Sequence, residues 1–298
     1  MPAPAPVQER VSILDLTPEI EGLWDELTAA VQRVIRSGQF IMGPEVRAFE
    51  DEVGAFLGTR HAVGLNSGTD ALVIGLRALG VGEGDEVILP PFTFFATAEA
   101  VSLLGATPVF VDVELETYNL DVEQVEAAVT ERTKAIIPVH LFGRPVDMGR
   151  LMELAERHSL AVLEDCAQSF GATVEGEQTG TIGAVGAYSF FPTKNLGAYG
   201  DGGLLTTDDD AIAEEARKLR AHGSLKKYHN EIVGYNSRLD AMQAAILRVK
   251  LPHIEAYNAG RRGGAARYNA ALESVEGIVT PEIVDGQVFH QYLSLIHI

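Results

Sequence analysis

At 298 residues the chain is long enough for one large domain plus a smaller one, and a hydrophobic content of 46% suits a substantial core. Its 42 acidic against 23 basic residues give a formal net charge of −19 and leave no basic stripe for a nucleic-acid backbone. No apolar run nears the ~20 residues of a membrane helix, and the single cysteine, Cys166, excludes an intramolecular disulfide framework.

A lone cysteine fits a reducing compartment, so a cytoplasmic location is expected. The opening Met1-Pro2-Ala3-Pro4-Ala5-Pro6 lacks the basic and apolar regions of a secretory signal, and residues 1–17 are expected to form an arm. Over 18–37 the apolar positions Ile20, Leu23, Trp24, Leu27, Val31, Val34 and Ile35 repeat at helical spacing, and Gly38 closes the run. A second helix over 44–57 carries Val46, Phe49, Val53 and Phe56 on one face and ends at Gly58.

From His61 the pattern becomes short apolar strands alternating with helices. Strands are expected at 62–65, 86–89, 108–111, 135–139, 160–163, 187–191 and 204–207. Helices are expected at 69–79, 94–104, 121–130, 147–158 and 210–219. Unalternated strands between amphipathic helices predict an α/β fold around a mostly parallel sheet covered on both faces. The large domain is expected to span 18–237. From 238 the strands stop, and a helix over 238–250, a break at Pro252 and a further helix to 272 predict the start of a smaller C-terminal domain. Residues 289–292 read as the beginning of a strand too near the end to complete a sheet. A truncated reading frame with non-native, adaptor-like final residues is therefore expected.

In open α/β sheets, ligands bind at the carboxyl ends of the strands, and four groups fall there. Asn66-Ser67-Gly68-Thr69-Asp70 follows the first strand and opens a helix, so its backbone N–H groups and dipole suit a phosphate, with ordinary N-capping as the alternative. Asp165 ends an apolar strand, where its carboxylate needs a cation such as a protonated pyridine nitrogen; Gln168 could bond a ring substituent, and the alternative is a capping aspartate. Phe92-Thr93-Phe94-Phe95 could stack one ring on a planar cofactor, although most such aromatics are core. The fourth is Ser189-Phe190-Phe191-Pro192-Thr193-Lys194-Asn195, where a lysine follows an apolar strand and a Pro break and precedes four glycines within nine residues. Desolvation there disfavours the ammonium and makes Lys194 a Schiff-base nucleophile; alone, it reads as a surface lysine in a glycine-rich turn. Lysine, aspartate, phosphate cradle and stacking aromatic together describe a site for pyridoxal phosphate.

Other features read more simply. Asp208-Asp209-Asp210 precedes a helix and reads as capping, not as a metal site. Gly180-Thr181-Ile182-Gly183-Ala184-Val185-Gly186 has dinucleotide-loop spacing but precedes a strand, where the fingerprint must follow one. Cys166 reads as a buried small residue. Lys226 and Lys227 could meet a substrate diphosphate or lie in a solvated loop.

Asn66-Ser67-Gly68-Thr69-Asp70-Ala71-Leu72, Glu164-Asp165-Cys166-Ala167-Gln168, Ser189 to Leu196 and Gly234-Tyr235-Asn236-Ser237-Arg238-Leu239-Asp240 resemble the pyridoxal-phosphate-dependent sugar aminotransferases of the DegT/DnrJ/EryC1/StrS family, over about 13–290. The resemblance implies the aspartate-aminotransferase type I fold and a homodimer with sites at the subunit interface. It implies amino transfer, usually from glutamate, to a keto group of a nucleotide-linked sugar. It assigns Lys194 as the Schiff-base lysine, Asp165 as partner of the pyridine nitrogen and Gln168 as neighbour of the ring hydroxyl. Gly68, Thr69 and Ser189 are assigned to the phosphate, Phe94 to ring stacking, and Asn236 to the phosphate of the other subunit. The 236–251 stretch resembles members that aminate C3 more than C4. A dehydratase of this fold would carry histidine in place of Lys194, and a regulatory protein of this fold would have no need of the full residue set.

Overall fold

The computed structural model describes residues 12, 14–226 and 228–296. Most of the expected arm lies outside the described residues, as do Lys227, His297 and Ile298. Helices α1 (Thr17–Gly22), α2 (Trp24–Ser37) and α3 (Pro44–Leu57) come first, followed by strand β1 (His61–Leu65) and α4 (Gly68–Ala78). Then β2 (Glu86–Leu89), α5 (Ala96–Leu103), β3 (Thr107–Phe110), α6 (Val122–Ala128), β4 (Thr133–Ile136), α7 (Met148–His158) and β5 (Ala161–Asp165) alternate. A small hairpin, β6 (Thr173–Val174) and β7 (Glu177–Gln178), precedes β8 (Val185–Ser189), β9 (Gly203–Thr207) and α8 (Asp210–Leu219). Helices α9 (Ala241–Lys250) and α10 (Ile254–Leu272) follow, and β10 (Ile278–Val279) pairs with β11 (Leu295–Ile296).

The main sheet has seven strands in the order β1-β9-β8-β5-β4-β2-β3. Only β9 runs against its neighbours; the pairs β2–β3, β2–β4, β4–β5 and β5–β8 are parallel. Strand β2 is buried along its whole length, as is β9, which explains why neither alternates in sequence. Val87, Ala135, Leu163, Val185 and Leu205 pack on one face with α4, α5 and α8. Their neighbours Ile88, Ile136 and Val162 pack on the other face with α6 and α7, and Tyr188 and Leu204 pack there with α2, α3 and α9. A Cβ on Gly75 would lie 2.7 Å from Leu163 Cδ1, so this glycine lets α4 approach the sheet closely.

The differences from the expected elements have local causes. The 18–37 helix breaks at Leu23, and Trp24 and Ile35 lie exposed off the buried Leu27–Val34 stripe. Pro252 produces a 3₁₀ turn, Leu251–His253, between α9 and α10. Residues 289–292 do not form a strand. They lie instead along the 142–143 turn, where Val288 N donates to Gly143 O at 3.0 Å and Gln291 N to Phe142 O at 3.4 Å. Gly143 has φ of +87°, and a Cβ there would come within 2.8 Å of His290 N. That close approach requires glycine. Among the described residues no helix is long and apolar enough to cross a membrane.

Candidate active site

Strand register builds the site. Gly203 opposes Leu65 of β1 on one side and Ser189 of β8 on the other. A Cβ on Gly203 would collide with the Ser67 carbonyl, so glycine lets the loop after β1 fold over the start of β9. Gly68 is thereby brought against Ser189, whose Cβ would be 2.7 Å from a Cβ on Gly68. Ser67 caps α4, its hydroxyl accepting from Asp70 N at 3.1 Å. The first N–H groups of α4, at Gly68 and Thr69, have no carbonyl within the helix to bond. They open with Ser189 onto a cavity of about 500 Å³.

Phe94, Asp165, Gln168 and Lys194 line the same cavity. Seven of the eight residues singled out in the sequence therefore converge, from loops or strand ends spread over more than a hundred positions. The eighth, Asn236, is exposed and does not line it. It pairs with Ala221 in an isolated bridge, and the following Ser237 hydroxyl donates to Asn66 Oδ1 at 3.2 Å.

Asp165 is buried at 5% exposure. Its Oδ1 accepts from Ala167 N at 3.1 Å and its Oδ2 from Thr97 Oγ1 at 2.9 Å. Since the Thr97 hydroxyl has a single proton, the 3.0 Å contact with Thr93 Oγ1 must be donated by Thr93. Burial nevertheless raises the Asp165 pKa, outweighing these donors and the positive charge of Lys194. Lys194 sits in the half-buried loop after β8; burial lowers its pKa, and Asp165 opposes that shift. Each group is short of opposite charge. Gln168 Oε1 accepts from Phe142 N at 2.7 Å, which fixes the amide orientation and leaves its NH₂ for a ligand. Phe94 is 73% exposed at the cavity rim, not part of the core.

Several participants carry no local sequence signal. Thr93, Thr97 and His290 also line the cavity. Behind Asp165, the buried Glu164 carboxylate accepts from Gly180 N at 2.8 Å, Ile182 N at 2.9 Å, Gly183 N at 2.7 Å and His140 Nε2 at 2.9 Å. The 180–186 glycine loop thus wraps a carboxylate of its own chain. His140 Nδ1 accepts from Val146 N at 3.0 Å, so the proton is on Nε2 and the ring is neutral. His140, Glu164 and Cys166 are close enough to hold a metal ion. Both histidine nitrogens and both Glu164 oxygens are already committed to protein partners, and burial pushes the Cys166 thiol well up, away from a ligating thiolate. Asp209 caps α8, accepting from Ala211 N and Ile212 N, while Asp208 and Asp210 bond Arg60.

A second cavity, of about 400 Å³, is lined by Arg144, Arg150, Asp147 and Asp285. Its arginines are paired with Glu282 and Glu123, so it offers no uncompensated group comparable to Asp165 and Lys194.

Comparison with known proteins places this geometry in context. Over 286 residues the chain is 51% identical to a pleiotropic regulatory protein of Geobacillus stearothermophilus, covering 95% of this chain and 77% of that one. It is 50% identical over 284 residues to the UDP-N-acetyl-3-dehydro-alpha-D-glucosamine 3-aminotransferase of Acidithiobacillus ferrooxidans, again covering 95% and 77%. The crystal structure of DesV from S. venezuelae, in complex with a ketimine intermediate, superposes with a TM-score of 0.93 at 48% identity, covering 96% of this chain and 78% of that one. The family model of the DegT/DnrJ/EryC1/StrS aminotransferases matches residues 23–298. The chain belongs to that family.

Proposed function

We propose that the chain is a pyridoxal-phosphate-dependent aminotransferase that moves an amino group from L-glutamate to C3 of a nucleotide-linked keto sugar. The observation that carries this reading is the convergence of an undercompensated buried carboxyl, Asp165, and a desolvated amine, Lys194, on one cavity with an anion cradle. A protonated ring nitrogen would supply the positive charge Asp165 lacks. The cradle of Gly68, Thr69 and Ser189, closed to any Cβ at Gly68, suits a phosphate group. About 500 Å³ accommodates a pyridine ring and leaves room for part of a substrate. These residues fit the cofactor.

In this assignment Lys194 Nζ would hold the cofactor, Asp165 would face its ring nitrogen, the Gln168 NH₂ its ring hydroxyl and Phe94 its face. When bound, pyridoxal phosphate supplies an aldehyde for amine capture and an electron-withdrawing ring. With its Nζ free, Lys194 would be the base that removes the α-proton of the amino donor and returns a proton later in the cycle. Asp165 would keep the ring nitrogen protonated, and Thr97 and Ala167 orient its carboxylate. Donor and keto sugar use the same Lys194 in turn, which gives ping-pong kinetics.

The C3 assignment is supported by the 3-aminotransferase relative at 50% identity. Asn236, exposed and outside its own chain's cavity, is assigned to the phosphate of a second copy in a homodimer. The exposed Phe95, next to Phe94 of the cavity rim, supports an interface there. A second reading, a regulator without turnover, is favoured by the 51% identity to a pleiotropic regulatory protein.

Borohydride reduction of protein loaded with pyridoxal phosphate, followed by peptide mass analysis, should find a pyridoxyl group on Lys194. A label elsewhere, or none, overturns the site. Incubation with glutamate and a panel of 3-keto and 4-keto nucleotide sugars then separates the readings: amination of 3-keto sugars is expected, 4-keto preference overturns C3, and label without turnover supports the regulator.

A further inference from the structure

Behind the Lys194 loop a chain of buried amides runs from the core to the cavity wall. Asn258 of α10 is fully buried, and its Nδ2 donates to the Phe170 carbonyl at 3.0 Å. A carbonyl only accepts, so the Asn258 amide is fixed with its Oδ1 toward Asn195. Asn195 Nδ2 donates to that oxygen at 2.8 Å. Asn195 Oδ1 is therefore the atom presented to His290, 3.0 Å from its Nδ1. An amide oxygen cannot donate, so His290 Nδ1 must carry the proton. In the neutral ring Nε2 is then a bare lone pair, the one polar atom of this cavity-lining side chain left for a ligand.

The surroundings hold the ring neutral. Lys194 and Arg261, the charged groups acting on it, are both cations; Asp165 acts on Lys194, and Glu19 on Arg261. Arg261 also pins the segment, donating from Nη1 to the His290 carbonyl at 3.1 Å. Burial and the two cations push the His290 pKa down to about 3. Across the neutral pH range the ring is an acceptor and never a donor at Nε2. The Arg261 cation disfavours an ammonium at this spot, and a bare lone pair needs a donor that an ionised carboxylate cannot supply. A neutral hydroxyl satisfies both.

We propose that Asn195 and Asn258 are positioning residues that lock His290 as a neutral Nε2 acceptor, and that this acceptor receives a hydroxyl of the sugar substrate beside Lys194. The ligand class rests on the aminotransferase reading; the tautomer does not.

The tautomer is tested without turnover. Long-range proton–nitrogen spectra of the ¹⁵N-histidine-labelled 298-residue chain, with the His290 signals among eight histidines assigned by their loss in His290→Gln, should show a pyrrole-type Nδ1 and a pyridine-type Nε2. The pattern should stay unchanged from about pH 5 to 8, where an unperturbed histidine titrates. A pyrrole-type Nε2, or titration in that interval, overturns the lock. Asn195→Asp places a carboxylate against Nδ1–H and should bring a His290 titration into the interval, which a merely structural asparagine would not do. The hydroxyl assignment is read in the KM split. His290→Leu should raise the KM for the keto sugar about tenfold, the loss of one neutral hydrogen bond, and move the KM for glutamate less. His290→Gln, which keeps an acceptor, should recover most of the loss. Equal changes in both KM values overturn the assignment. Failure of trapping at Lys194 would remove the aminotransferase reading and leave the tautomer result standing.

Discussion

Thr97 Oγ1 donates to Asp165 Oδ2 at 2.9 Å, so the carboxylate at the end of β5 is oriented by the first turn of α5, 68 residues earlier in the chain. The bond aims Asp165 but does not compensate its charge, because burial still raises its pKa. The site is built at the expense of the fold.

That balance predicts a stability gain on removing the charge. An acid whose folded-state pKa exceeds its ordinary 3.8 weakens the fold as pH rises, and the loss is complete above the folded pKa. Asp165→Asn should therefore stabilise the cofactor-free protein at pH 8, with the gain shrinking as pH is lowered. The same variant should lose amino transfer by at least about two orders of magnitude, the lower range for removing a key electrostatic partner. Thermal melts of both proteins across pH check the first part. A lower melting temperature for Asp165→Asn at pH 8 would count against the charge argument.

Lys194 yields a pH prediction of known sign. Burial lowers its pKa and Asp165 raises it, so the burial effect dominates. The rate of pyridoxal phosphate capture should rise with pH through a midpoint below the ordinary lysine value of 10.5. In Asp165→Asn the opposing charge is gone, and the midpoint should move lower still. Stopped-flow capture rates between pH 6 and pH 10 decide it. A midpoint that rises in the variant would refute the coupling.

Gly68 tests the cradle. Its backbone needs no positive φ, so alanine is conformationally acceptable, yet the added Cβ would sit 2.7 Å from Ser189 Cβ and 3.1 Å from its Cα. Backbone must move to relieve it, at a cost of about 1–3 kcal/mol. Gly68→Ala should lower the urea midpoint and weaken cofactor phosphate binding at least about tenfold, whereas Gly82→Ala, with nothing within 4 Å, should alter neither. Equal behaviour of the two variants would show that the contact is not tight.

The sheet was legible because its inner strands are largely buried on both faces, unlike the edge strand β3: the run Glu86–Leu89 carries its lack of alternation in the residues themselves. The strand-end aspartate and loop lysine were legible for a related reason, since a charged residue directly after an apolar strand is conspicuous. Thr97, Asn195, Asn258 and His290 were not. Their roles exist only through tertiary contacts, such as the 95-residue separation between Asn195 and His290. Residues 289–292 carry the apolar pattern of a strand, but what buries Val288 and Phe289 is the 142–143 turn and its glycine, not a neighbouring strand. The 180–186 glycines showed a ligand-like loop without showing that the ligand is Glu164.

That carboxylate predicts the largest stability effect. Both Glu164 oxygens accept two donors each: Gly180 N and His140 Nε2 on one, Ile182 N and Gly183 N on the other. Glu164→Gln preserves shape but turns an NH₂ toward one of these donor pairs, whichever way the amide is placed. His140 cannot adapt by changing tautomer, because its Nδ1 is held by Val146 N. A donor facing two donors in a fully buried site should cost about 3 kcal/mol. Urea unfolding should show a lower midpoint with an unchanged slope. The effect should also reach the site, because Asp165 N donates to Pro138 O at 2.9 Å and its carbonyl accepts from His140 N at 3.1 Å. Disturbing His140 therefore moves the backbone that aims Asp165. Glu164→Gln should weaken cofactor retention although Glu164 does not line the cavity. A variant as stable and as retentive as the parent would mean that the glycine loop closes around the residue without depending on its charge.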